Sequence, residues 1–103
     1  MSIAELPLRL DREKIAEFCR ARGIRKLSVF GSVLRDDFDP VHSDVDMLAE
    51  FSPQALARTG WEYFLYGPQL AEIIGHKVDF CAQLSPDIAA EVRREALAVY
   101  EQA

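Results

Sequence analysis

The densest chemistry in the chain lies between Val29 and Phe51, in VFGSVLRDDFDPVHSDVDMLAEF. Asp44 and Asp46 stand two apart at the entry of an apolar run, DVDMLAEF. On a strand, side chains at i and i+2 point to one face. Two carboxylates placed so repel, and one holds its proton more tightly unless something compensates. Mg²⁺, which takes one or two carboxylates together with substrate phosphates, resolves that conflict. Upstream, the run KLSVF breaks at Gly31-Ser32. Glycine lets a ligand approach the backbone, and serine sets a hydroxyl beside free N–H groups of a following helix, a place for a phosphate. Arg35, three residues on, shares the helix face of Ser32 and adds a charge-assisted contact. Taken alone, this turn also reads as an ordinary capped turn with a solvated arginine, and the aspartate pair as a solvated strand end. A third carboxylate, Asp79, lies between Val78 and Phe80, where a lone Asp is costly unless paired or metal-bound. If its strand neighbours that of Asp46, three carboxylates converge on one rim as the ligand set for two metal ions.

The elements that must position these residues alternate between helix and strand. Asp11 to Arg22 reads as a helix with Asp11 at its N-cap, an apolar stripe of Ile15, Phe18 and Cys19, and Gly23 as its stop. Lys26–Phe30 is a strand, and Ser32 to about Asp36 is one or two helical turns. Residues 37–43 form a polar loop, with Asp36, Asp37 and Asp39 in solvent. Asp44–Phe51 is a strand whose Val45, Met47, Ala49 and Phe51 face one way and Asp44, Asp46, Leu48 and Glu50 the other. Glu50 sits some 13 Å along the strand from Asp46, at ~3.3 Å per residue too far to share a metal. Residues 52–60 read as a connection, Trp61 to about Ile74 as a helix irregular near Gly67-Pro68, and Lys77–Ala82 as a third strand. Ser85 at N-cap and Pro86 at N1 open a last helix that runs to about Glu101 and carries Tyr100 as a packing residue. The sum is an α/β (α+β) fold: a small mixed sheet of three or so strands with about four helices.

Composition bounds the rest. The 103 residues, 50% hydrophobic and 28% charged, suit a single domain over 1–103 that buries roughly 65% of its surface on folding. No apolar run approaches the ~20 residues of a membrane span, and the N-terminus lacks the continuous apolar stretch of a signal peptide. Seventeen acidic against 12 basic residues argue against direct nucleic-acid binding through phosphate contacts. Cys19 and Cys81 show no zinc spacing and read as two reduced, buried thiols of a cytoplasmic protein. Trp61, Tyr63, Phe64 and Tyr66 read as core or, if exposed together, as a protein interface. His42 and His76 have no partner at ligand spacing.

The order strand, Gly31-Ser32, helix with Arg35, loop, Ser43-Asp44-x-Asp46, strand, then Asp79 in a later strand resembles the polymerase-β nucleotidyltransferase superfamily. Within it the chain is similar to the minimal nucleotidyltransferases, the MNT domains. The segments IRKLSVFGSVLRDDF, LAEIIGHKVDF and LSPDIAAEVRREALAVY extend the likeness over nearly the whole chain. Residues 33–43, between Ser32 and Asp44, are one more than is usual there, an insertion that falls in the loop around Pro40-Val41-His42.

The resemblance implies that Gly31, Ser32, Arg35 and Ser43 bind the nucleotide. It implies that Asp44 and Asp46 bind two Mg²⁺ ions, and that Asp79 binds the catalytic ion and helps deprotonate the acceptor. The implied reaction moves AMP from ATP with release of pyrophosphate. The implied context is the antitoxin of a HEPN/MNT toxin–antitoxin pair, with a tyrosine hydroxyl of the HEPN ribonuclease toxin as acceptor, since the chain leaves no room for an acceptor-binding domain. Two alternatives stand beside it: an antitoxin that neutralises by binding alone, and the catalytic subunit of a two-chain nucleotidyltransferase acting on a small molecule.

Overall fold

The computed structural model describes residues 3–35, 38–39, 41–82 and 86–102, with the backbone alone for 86–89. The predicted cap Ser85 and the loop residues Asp36, Asp37 and Pro40 lie outside the described residues. Helix α1 spans Arg12–Arg22. Asp11 caps it by accepting from the Lys14 N–H at 3.1 Å, and Gly23 closes it at φ 73°, as the sequence predicts. Strand β1 is Ile24–Phe30, two residues longer at its start than expected. A 3-10 turn, Gly31–Leu34, replaces the one or two helical turns predicted from Ser32. Strand β2 follows at Val45–Phe51.

Residues 52–60 are not merely a connection. They hold helix α2, Pro53–Arg58, which carries the Ser-Pro signature used to predict the last helix: Ser52 accepts from the Ala55 N–H at 3.2 Å and Pro53 fills the first turn. Helix α3 is Tyr63–Ile74, continuous through Pro68. Strand β3 is Val78–Cys81 and helix α4 is Pro86–Glu95.

The last helix does not run to Glu101. It stops at Glu95, and Leu97–Glu101 forms a fourth strand, β4, so Tyr100 stands opposite Leu27 in a sheet instead of packing on a helix. The sheet order is β3-β2-β1-β4, with β1 antiparallel to both β2 and β4 and β2 parallel to β3. The reason is the open edge of β1. Without β4 its backbone groups would face solvent along the whole strand, and that gain outweighs the helical preference of Leu97 and Ala98.

The core lies on one face of the sheet. Val45, Met47 and Ala49 point into it fully buried, against Ile15, Phe18 and Cys19 of α1 and Tyr66, Leu70 and Ile74 of α3. The predicted parity of β2 therefore fixes which way Asp46 faces: away from the core. Gly23 packs closely against α2. A Cβ there would overlap the Ala55 methyl of α2, and the residue already occupies the left-handed region. We expect Gly23→Ala to cost about 2–4 kcal/mol, because neither the strained backbone nor a short methyl can yield. Urea denaturation followed by circular dichroism checks it.

Candidate active site

Two hydrogen-bonding registers converge on Asp46. In the antiparallel ladder it stands opposite Phe30, the residue before Gly31. In the parallel ladder it is level with Asp79, on a strand about 4.8 Å away. The second pairing needs β3 to arrive alongside β2, and the α2–α3 crossover of residues 52–77 provides the length. The Val45 N–H donates to the Lys77 carbonyl at 2.8 Å and locks that register at the site itself.

Gly31 closes the site from the other side. It is buried, at φ 76°, and a Cβ built on it would overlap Asp46 Oδ2. The strand-to-turn junction thus presses bare backbone against the carboxylate, which only glycine permits. Ser32 follows, half-buried. Arg35 does not share a helical face with Ser32 as predicted. The 3-10 turn ends first, and Arg35 is extended at φ −124°, ψ 166°, its N–H donating to the Ser32 carbonyl at 2.9 Å.

Electrostatics tie these side chains together. Burial pushes the Asp46 carboxyl above its ordinary value, the charges of Asp79 and Asp44 push it further, and Asp79 shares a hydrogen bond with it; Arg35 pulls the other way. Asp44, just outside β2, has the Lys77 ammonium 4.0 Å from its Oδ2. The sequence reading missed Lys77. It stands two residues before Asp79, and only the parallel register puts it beside Asp44.

Ser43 is turned to the loop: its hydroxyl accepts from the Asp39 N–H at 3.0 Å, and its own N–H donates to the Asp39 carbonyl at 2.8 Å. His42 Nδ1 lies 2.7 Å from Asp39 Oδ2, which holds Asp39 below its usual range. Asp39, His42 and Ser43 are therefore tied by local hydrogen bonds while His42 stays open to solvent. Glu50 is paired with Arg93 of α4 at 3.4 Å. Cys19 is buried, and burial pushes its thiol up to about 12. Cys81 is only half-buried, which corrects the expectation of two buried thiols.

Among the described residues, no three His, Cys, Asp or Glu side chains stand already gathered round a metal position. The donor set nonetheless fits a hard divalent ion. It is all oxygen, and it centres on a half-buried carboxylate whose charge is opposed by two neighbours, which a cation relieves.

A nucleotidyltransferase domain model matches residues 12–98. By structure, the chain is similar to a solved minimal nucleotidyltransferase at 31% identity and TM-score 0.68, covering 84% of this chain and 86% of that one. It is similar in fold to a chain of a toxin–antitoxin complex with AMP-PNP, at 18% identity and TM-score 0.66, covering 90% and 75%. It is also similar to a chain of the tri-AMPylated Shewanella oneidensis HEPN toxin in complex with MNT antitoxin, at 16% identity and TM-score 0.57, covering 88% and 70%. No curated protein matches.

Two outcomes follow from the geometry. Gly31→Ala forces Asp46 aside and lowers nucleotide transfer by about 10²-fold, read by steady-state kinetics. Asp46→Asn, in metal-free buffer, raises the melting temperature at pH 7 by about 2–5 °C. The raised carboxyl binds a proton in the folded state that the unfolded chain releases near 3.8, so its charge destabilises the fold above that range. The advantage of Asn therefore shrinks as the pH falls from neutral toward about 4 and is gone below it, and melting curves across pH test the sign.

Proposed function

The chain belongs to the nucleotidyltransferase domain family and is a nucleotidyltransferase; on that premise we propose that it transfers AMP from ATP to a tyrosine hydroxyl of a partner HEPN toxin and so acts as its antitoxin. The observation that carries this reading is the level pairing of Asp46 with Asp79, with the Gly31 turn pressed against Asp46. AMP-PNP in one structurally similar complex, and a tri-AMPylated HEPN toxin in another, support ATP as donor and such a toxin as acceptor.

In the proposed reaction the acceptor oxygen attacks the α-phosphorus of ATP. The new O–P bond forms as the bond to the α,β-bridging oxygen breaks, and pyrophosphate leaves. Asp79, at the open edge strand of the sheet, faces the acceptor and helps to take the hydroxyl proton. Gly31 admits the phosphates against the backbone, and Ser32 donates its hydroxyl to a phosphate oxygen. Ser43 holds the loop that delivers Asp44 and lies on the nucleotide side of it. Arg35 offers its guanidinium to the terminal phosphate.

Asp44, Asp46 and Asp79 would hold two Mg²⁺ ions. When bound, Mg²⁺ lowers the pKa of the acceptor hydroxyl and offsets charge on the leaving pyrophosphate. Three carboxylates and ATP carry about −7 together, so the anionic substrate enters only with its cations. Lys77, by pairing with Asp44, keeps that carboxylate oriented while the site is empty of substrate.

The test incubates the chain with α-labelled ATP, Mg²⁺ and its cognate HEPN protein, and reads AMP addition by intact mass. Transfer is expected with Mg²⁺ and lost with chelator; no transfer under any metal condition overturns the reading. Asp79→Asn should cut the rate by about 10²–10⁴-fold. If an Asp44→Asn, Asp46→Asn double variant still neutralises the toxin in cells, neutralisation is by binding alone.

A further inference from the structure

The aromatic residues after α2 divide sharply in the structure. Tyr66 joins the core, packed edge-on against Phe18, whereas Trp61 is 73% and Phe64 77% exposed, with Leu56 and Leu65 also open to solvent. The two rings alone present about 300 Å² of apolar surface, as much as the largest patch of many monomers. Phe64 is anchored: it meets Tyr63 edge-on at 5.8 Å, and Tyr63 meets Phe80 of β3 at 5.5 Å. Beside them a pocket of about 420 Å³ is lined by Leu56, Thr59, Gly60, Tyr63, Phe64 and Ala82.

This shelf is continuous with the site. Ala82 lies three residues beyond Asp79, about 10 Å along the same edge of the sheet. Burial pushes the hydroxyl of Tyr63, which lines the pocket, above its ordinary value, and the nearby Asp79 charge adds to that shift. The surroundings are acidic on the site side: Asp79, Asp46 and Asp44 lie along it, Glu62 sits between Trp61 and Tyr63, and the chain carries a net charge of −5.

We propose that this shelf is where the protein acceptor docks, through apolar side chains bordered by basic ones, which sets its reactive hydroxyl at Asp79. The inference rests on the reading of a protein acceptor given above and adds the surface that selects it. A side chain seated in the pocket lies about three extended residues from the carboxylate, so one short segment can fill the pocket and reach the phosphorus. The basic border answers the carboxylates in encounter, and the rings supply the desolvated contact that slows release.

The test uses the full chain with Trp61→Ala and Phe64→Ala together, two exposed positions whose loss leaves the core intact. Affinity for the cognate HEPN protein, measured by calorimetry without nucleotide, should fall by about 30-fold or more. AMP transfer to that protein should lose the same factor through KM, while transfer to N-acetyltyrosinamide, a minimal acceptor that needs no docking, stays at the wild-type rate. Unchanged affinity for the HEPN protein overturns the proposal, as does wild-type protein that does not bind it. Equal loss on N-acetyltyrosinamide also overturns it, since the rings would then act on the site itself. So does a wild-type dimer in sedimentation that the double variant dissolves, which would make a second copy the occupant. Wild-type protein that binds the HEPN protein but never modifies it, with binding lost in the variant, keeps the docking surface and removes the AMP-transfer reading instead.

Discussion

Everything distinctive in this molecule depends on holding Asp46 level with Asp79 against their mutual repulsion. Asp79 is exposed, but burial alone already penalises the charge of Asp46. Together, with Asp46 half-buried and Asp44 adding a third negative charge nearby, they raise the free energy of the metal-free fold. The chain answers with Arg35 and Lys77, one acting on Asp46 and one on Asp44. The Asp46 carboxyl stays raised all the same. The residual conflict is what makes the site receptive to a divalent ion carried in with a triphosphate.

The scaffold explains why the conflict persists. Backbone hydrogen bonds fix β2 between β1 and β3, so Asp46 cannot slide away from Asp79 without breaking both ladders. Val45, Met47 and Ala49 are fully buried on one face of β2, so a one-residue slip would take all three out of the core. The core thus supplies the energy that keeps the acidic residues together. Gly31 completes the arrangement by giving up a side chain where Asp46 needs the room.

The two sides of the crossover serve different ends. Its inner surface, Tyr66, Leu70 and Ile74, covers the sheet, and its outer turn leaves Trp61 and Phe64 exposed beside the edge strand. Placing apolar surface at the edge that carries Asp79 exposes it to water at a cost in solubility. That cost is consistent with a surface that spends part of its life covered.

Local rules made much of this legible. The caps of α1, the alternation of β2 and the glycine at the strand-to-turn junction are short-range signals, carried by side chains within four residues of the backbone they govern. The acidic trio stood out because two aspartates at i, i+2 and a third in an apolar strand are costly without a shared purpose. Residues 97–101 were misread as helix because their side chains suit either state, and what decides is the open edge of β1, nearly 70 residues earlier. Lys77 and the split between Tyr66 and Phe64 were hidden for the same reason. Parity and charge are local properties, so the residues able to do chemistry and the face of β2 they occupy can be read from the chain before it folds. The meeting of Asp79 with Asp46 cannot, because a parallel register is set by how a 26-residue crossover packs on the core, a balance no nearby residue encodes.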